Sequence, residues 1–274
     1  MNDAFRDRIA LVTGAAAGIG RALATQLAAA GARVVMADID AAGAERVAGD
    51  LRAGRPDRVR ACALDVRDRA AFADLVADVL AREGRLDYLF NNAGIAVIGN
   101  LLRMTPEHWD ALVDVNVRGV HHGIEAAYPV MVEQGSGHIV NTASLSGLVP
   151  SPGFTAYAMT KHAVVGLSTS LRVEAARHGV RVSALCPGVI DTNMAESARL
   201  LGRERRIKEE MPDAGRLLHG ADYCARHALR GVLRNRAIIP VTPAAHFAWR
   251  LYRVSPVLLA PLLRHLADRL APLD

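Results

Sequence analysis

Ile9-Ala10-Leu11-Val12-Thr13-Gly14-Ala15-Ala16-Ala17-Gly18-Ile19-Gly20 runs from four apolar residues through a glycine-spaced turn into an amphipathic stretch. The apolar run reads as a buried strand, and 18–30 as a helix that Gly31 stops. The pattern then repeats. Further strands are expected at 33–37, 58–64, 86–90, 138–142, 180–186 and 238–241, and helices at 41–52, 69–82, 106–133 and 154–177. Alternation on this scale predicts an α/β fold: a Rossmann-like, doubly wound parallel sheet of about seven strands with helices on both faces.

Composition agrees. The 274 residues are 51% hydrophobic and 22% charged but only 4% aromatic, so the core must be built from Ala, Val, Leu and Ile, as in covered parallel sheets. No repeat or linker divides the chain, and a single domain over 1–274 is expected. The segment 191–218 breaks the rhythm and reads as a candidate lid over the substrate. The tail, 243–274, is apolar, helical in pattern and broken by proline.

The formal charge is +5, but the basic residues are scattered. The densest run, 203–210, mixes both signs and reads as a solvated helix face. A basic stripe with interleaved stacking aromatics is missing, so no nucleic-acid partner is expected. The three cysteines form no CxxC pair, which argues against a disulfide framework or a zinc site. No His pair has metal-ligand spacing, and no metal is expected. With no signal-peptide layout and no run of ~18 apolar residues, the expectation is a cytoplasmic protein without a transmembrane segment.

Glycines between a first strand and a first helix permit a tight turn and a close backbone approach to a phosphate, with the helix N-terminus adding N–H groups and a positive dipole end. That placement marks a dinucleotide site. No Lys-Ser or Lys-Thr follows Gly20, which excludes an NTPase P-loop. Gly14, Ala16, Gly18, Ile19 and Gly20 are the expected contacts. Asp38 closes the second strand, where a carboxylate accepts hydrogen bonds from the adenosine ribose and repels a 2′-phosphate. Ile39 follows it, not Arg or Lys. NAD is therefore expected over NADP. The alternative for Asp38 is a cap for the helix at 41.

Further motifs fall in register. Asp65-Val66 ends strand three, Asn91-Asn92-Ala93-Gly94 follows strand four, and Asn116 lies on the next helix. Asn141-Thr142-Ala143-Ser144 follows strand five, Tyr157-Ala158-Met159-Thr160-Lys161 lies on the helix after it, and Pro187-Gly188-Val189-Ile190-Asp191-Thr192 follows strand six. With the TGxxxGxG turn, this set resembles the short-chain dehydrogenase/reductase family over residues 6–192. The resemblance implies an oxidoreductase acting on CH–OH groups. It implies adenine contacts at Asp65 and Val66, nicotinamide contacts at Asn92, Ala93, Gly94, Pro187, Gly188, Ile190 and Thr192, and a homodimer or homotetramer that often uses the Tyr157 helix.

Tyr157 and Lys161 are four apart on one helix and share a face. A free Tyr titrates near pH 10, and a neighbouring ammonium is expected to lower that value. Tyr157 is the expected general acid/base, and Lys161 its partner and a nicotinamide-ribose ligand. Ser144 is expected to hydrogen-bond the substrate oxygen, with Ser146 as rival. Asn116 is expected to hold a water linking Lys161 to solvent, or else to bond the main chain locally. Leu145, Val149, Phe154, Ile190 and Met194 suggest a hydrophobic wall for a secondary alcohol or ketone. The alternatives are an NADP-dependent ketoreductase or a non-catalytic dinucleotide sensor, whose hallmark would be a broken Tyr–Lys pair. The tail packs on the pocket or a neighbouring subunit, or rests on a membrane surface, since Arg250, Arg253, Arg264 and Arg269 are interleaved with Trp249, Tyr252 and leucines.

Overall fold

A computed structural model describes residues 4–52, 58–191, 199–201 and 219–270. Seven strands form the main sheet: β1 (Ile9–Thr13), β2 (Arg33–Asp38), β3 (Val59–Ala63), β4 (Tyr88–Asn91), β6 (Gly137–Thr142), β7 (Val180–Cys186) and β11 (Ile238–Pro240). Their order is β11-β7-β6-β4-β1-β2-β3, and every pairing is parallel. The connecting helices are α1 (Gly18–Ala29), α2 (Ala41–Leu51), α3 (Arg69–Glu83), α4 (Pro106–Val113), α5 (Gly119–Glu133), α6 (Thr155–Ala175) and α7 (Ala221–Leu233). This is the doubly wound architecture read from the sequence.

The continuous apolar runs follow from burial on both faces. In β1, Ile9 and Leu11 enter a core shared with α3, α5 and α6, while Ala10 and Val12 enter a second core with α1 and α7. In β2, Val35 and Ala37 face the first core, and Val34 and Met36 the second. Period-two alternation persists, but neither face meets water, so it leaves no polar signal. From β1 the chain winds out to β2 and β3, then returns to β4 on the other side of β1. The crevice at the carboxyl ends of β1 and β4 is thus the switch point where such folds bind ligands. Asn91 Nδ2 donates to Asn141 Oδ1 at 2.9 Å, and Asn141 Nδ2 donates to Ser168 Oγ at 3.0 Å, which pins β4, β6 and α6 in register.

Two features differ from the sequence reading. The helix expected at 106–133 is interrupted by a π-helical turn over Asp114–Arg118, with Asn116 buried inside it. Gly119 follows directly. A Cβ there would lie 2.7 Å from Val66 Cγ2, so α5 starts pressed against the β3–α3 connection. Short parallel pairs also appear, β5 (Val97–Gly99) with β9 (Arg199–Leu201) and β8 (Ile190–Asp191) with β10 (His219–Gly220). They are too short to produce a periodic pattern. Most of the candidate lid at 191–218, including the charge run 203–210, lies outside the described residues. The tail forms α8 (Pro243–Val254) and α9 (Pro256–Leu270), with Pro256 opening the second helix.

Gln134, at the end of α5, closes the entry to β4. Its Oε1 accepts from the Leu86 N–H at 2.8 Å and its Nε2 donates to the Leu86 carbonyl at 2.9 Å. Leu86 is fully buried, so no water can replace those bonds. Gln134→Ala should lower the unfolding free energy by roughly 1–3 kcal/mol, read as a shifted urea midpoint. An unchanged midpoint would rule this clasp out as a stabilising contact.

Candidate active site

The glycine turn is held open by the absence of side chains. Gly14 has φ +65° and Gly18 φ +54°, conformations that L side chains rarely adopt. A Cβ on Gly14 would sit 2.8 Å from Ala93 Cα, and one on Gly20 only 2.0 Å from the Gly14 carbonyl oxygen. Ala17 precedes α1, and no side chain caps the helix. Its first-turn N–H groups are thus available to an anion. Asp38 Oδ2 accepts from the Ala16 N–H and Oδ1 from the Asp40 N–H, each at 2.9 Å. The cap of α2 is Asp40, which accepts from the Gly43 N–H at 2.9 Å. Asp38 is therefore not the cap, and a carboxylate has lone pairs to spare after two such bonds. Ile39 beside it is exposed.

Thr13 carries a role the sequence did not signal. Its Oγ accepts from the Asn92 and Ala93 N–H groups, both at 3.0 Å. Asn92 Nδ2 donates back to the Thr13 carbonyl at 3.1 Å, and Asn92 Oδ1 accepts from Thr142 Oγ at 3.2 Å. These bonds sew the ends of β1, β4 and β6 together. Asp65 is engaged by Arg67, whose Nε lies 2.9 Å from both carboxylate oxygens. The Arg67 hydrogen bond holds the Asp65 carboxyl below the usual carboxylate range. Val66 is buried and its carbonyl lies 2.9 Å from His122 Nδ1.

Tyr157, Lys161, Ser144 and Asn116 come together at the carboxyl end of the sheet. The first two lie on α6, with Lys161 Nζ 5.5 Å from the Tyr157 ring centroid. Nζ donates to the Thr142 carbonyl at 2.9 Å. Ser144 lies near enough to Tyr157 to pull the phenol pKa down, and its Oγ accepts from the Ser146 N–H at 3.1 Å. Ser144, rather than Ser146, is thus the hydroxyl that acts on the phenol. Gly147 lets this turn lie on α6, because a Cβ there would be 2.5 Å from the Lys161 carbonyl oxygen. Asn116 is fully buried and bonds a distant loop instead of its own helix. Its Oδ1 accepts from the Ile95 N–H and its Nδ2 donates to the Ile95 carbonyl, both at 2.9 Å. Nδ2 also donates to Thr160 Oγ at 3.2 Å, and Thr160 Oγ donates to the Tyr157 carbonyl at 2.7 Å. Gly94 borders this group: a Cβ there would lie 3.1 Å from Asn116 Oδ1 and 3.5 Å from Lys161 Nζ. Thr160 and Gly147 were not singled out by sequence.

The electrostatics correct one expectation. Lys161 does not lower the Tyr157 pKa below its ordinary value. Burial pushes the phenol up to about 12, against the Ser144 hydrogen bond, which pulls the other way. Lys161 is itself buried, and desolvation brings it down to about 8. Spacing on a helix reveals a neighbour but not the loss of water around both. Cys186 lies beneath, with its thiol pushed up to about 12 by burial. Among the wall residues named from sequence, Phe154 meets Tyr157 edge to face with centroids 6.4 Å apart. Leu145 is partly buried against the larger core, and its N–H donates to the Pro187 carbonyl at 2.8 Å. Val149 is packed into that core. Gly188 abuts Thr242, where a Cβ would come within 2.4 Å of the hydroxyl oxygen. Ile190 pairs with His219. Thr192 and Met194 lie outside the described residues.

Among the described residues no cluster of ligating side chains could hold a metal ion, and no helix is long and apolar enough to cross a membrane. The model of a family described as short chain dehydrogenase matches residues 8–200. The oxidoreductase UcpA of Salmonella typhimurium is 44% identical over 191 residues, covering 69% of this chain and 72% of that protein. A short chain dehydrogenase/reductase from Burkholderia phymatum, solved in complex with NAD, superposes with a TM-score of 0.81 at 33% identity, over 93% of this chain and 95% of that one. A 3-ketoacyl-(acyl-carrier-protein) reductase from Brucella melitensis, solved with NADH, gives a TM-score of 0.73 at 33% identity, over 88% and 93% of the two chains.

The buried ammonium has a measurable signature. Below about pH 8 the folded chain carries Lys161 charged at full desolvation cost. Between there and the ordinary value of 10.5 the folded group is already neutral while the unfolded one still holds its proton, so stability rises with pH. Relative to Lys161→Met, the wild type should gain roughly 2 kcal/mol between about pH 8 and pH 10, read from urea midpoints. A flat difference would mean that Nζ is better solvated than its burial indicates.

Proposed function

The chain belongs to the short chain dehydrogenase family of oxidoreductases, and from that premise we propose that it is an NAD-dependent enzyme moving a hydride between nicotinamide and a hydrophobic secondary alcohol or ketone. The observation that carries the reading is the Ser144–Tyr157–Lys161 group, with Tyr157 and Lys161 buried, facing the same sheet end as an uncapped α1 and a carboxylate at Asp38.

The fit to a dinucleotide is tested by what a side chain would obstruct. The turn at Gly14 and Gly20 leaves no space for a Cβ, so its backbone stays bare, and α1 offers N–H groups to a pyrophosphate. Asp38 would receive the adenosine ribose hydroxyls, with Ile39 against the adenine beside Asp65 and Val66. Asn92, Ala93 and Gly94, with Pro187, Gly188, Ile190 and Thr192, would border the nicotinamide side, and Lys161 its ribose. When bound, the nicotinamide supplies the hydride or takes it up.

The chain's own residues handle the proton. In reduction, Tyr157 gives its phenolic proton to the carbonyl oxygen as negative charge grows there. Ser144 donates a hydrogen bond to the same oxygen. Burial that keeps the phenol protonated favours this acid role near neutral pH, whereas oxidation needs the phenolate and gains rate as pH rises. Asn116 serves by position: its amide fixes the loop at Ile95 and reaches the Tyr157 backbone through Thr160. Phe154 and Leu145 support an apolar substrate. The exposed Met159 and Val173 on α6 support a subunit interface on that helix.

Tyr157→Phe should cut turnover about 10³-fold, within the usual range for loss of a general acid, while NADH still binds with wild-type affinity by nicotinamide fluorescence. Wild-type-like turnover would overturn the assignment. Separate titrations with NADH and NADPH test the carboxylate: NADH should bind at least about tenfold more tightly, and Asp38→Ala should erase most of that margin. Tighter binding of NADPH would reverse the cofactor assignment.

A further inference from the structure

Five of the eleven large hydrophobic side chains that stand exposed among the described residues lie in α8 and α9. Phe247 is 68% exposed, Val254 80%, Val257 74% and Leu262 62%, with Leu258 beside them. They are not a frayed end. Leu259 is buried in the larger core, and Trp249, Leu251, Tyr252 and Leu263 pack against it, so each helix is anchored on one side and apolar on the other. On α8, Phe247, Arg250 and Val254 recur at three- and four-residue intervals and form one outward stripe. Arg253 stacks over the Trp249 ring at 5.4 Å.

Charge decides what covers this face. Over α8 and α9, from Pro243 to Leu270, the chain contains Arg250, Arg253, Arg264 and Arg269 against a single acidic residue, Asp268. Burial lowers the His246 pKa, and Arg250 and Arg236 lower it further. A second copy of the same face would bring arginine against arginine. A surface of anionic headgroups over acyl chains matches both elements: the aliphatic and aromatic side chains enter the acyl boundary, and the arginines reach phosphate.

We propose that α8 and α9 form a peripheral docking surface for an anionic lipid bilayer, lying in the plane of the interface without crossing it. Neither helix can span a bilayer, and Pro256 divides them into two short segments that both lie flat. The proposal is independent of the catalytic reading, because it uses no residue of that site.

The test is co-sedimentation of the full chain with vesicles of phosphatidylcholine containing about 30 mol% phosphatidylglycerol, a strongly anionic surface. Binding is expected there and not to pure phosphatidylcholine, and it should weaken steeply as salt rises to about 0.5 M. Neutralising Arg250 and Arg264 together (Arg250→Gln, Arg264→Gln) should weaken it about thirtyfold, near fivefold for each arginine. Phe247→Asp and Leu262→Asp, at exposed positions, should abolish it while leaving the melting temperature and NADH binding unchanged. A blue shift of Trp249 fluorescence in a Trp109→Phe background would accompany binding. Failure of the wild type to bind the anionic vesicles overturns the proposal. So does a fall in oligomeric mass in Phe247→Asp or Leu262→Asp by sedimentation velocity, which would assign the face to a second copy.

Discussion

The contact on which the site depends is the approach of the Gly14 turn to the backbone at Ala93. Two backbone segments meet there with no room for a Cβ. Thr13 and Asn92 fix the approach by trading hydrogen bonds across the ends of β1 and β4, and Thr142 extends it to β6. Lys161 then bonds the Thr142 carbonyl, so α6 is tied to the same seam. The glycine turn and the Tyr157–Lys161 pair are therefore not separate modules on a common sheet. A displacement at the first glycine reaches the lysine through two hydrogen-bonded strands.

The larger outline was readable because it is periodic. Seven apolar runs separated by amphipathic stretches leave a parallel sheet as the economical solution, and Tyr157 and Lys161 share a face at any regular helical geometry. The remainder depends on contacts between residues far apart in sequence. Thr160 gains its place only because Asn116, forty-four positions earlier, arrives inside a π-helical turn and donates to it. Gly147 matters only because α6 lies against it. Spacing also misjudged the sign at Tyr157. It placed a cation nearby, but what fixes the phenol is the shared loss of water, a property of the whole packed site.

That shared desolvation frames the chemistry. An ammonium and a phenol in a dry site are both pushed toward neutrality, each losing the form that water would have stabilised. The phenol thus holds its proton more tightly than in water, while the ammonium gives its proton up more readily. This is a stable arrangement for a donor and a costly one for the protein, since the lysine would be more comfortable in solvent. Such local conflict between stability and chemistry is common where function is concentrated.

The cysteines carry a consequence of a different kind. Cys186 sits close to Tyr157 and Lys161 with its thiol pushed up to about 12, Cys224 is likewise at about 12, and Cys62 at about 11. Oxidants and alkylating agents react with the thiolate, and near neutral pH almost none is present at any of the three. The packing that fills the two faces of the sheet thus keeps all three thiols in their unreactive, protonated form near neutral pH.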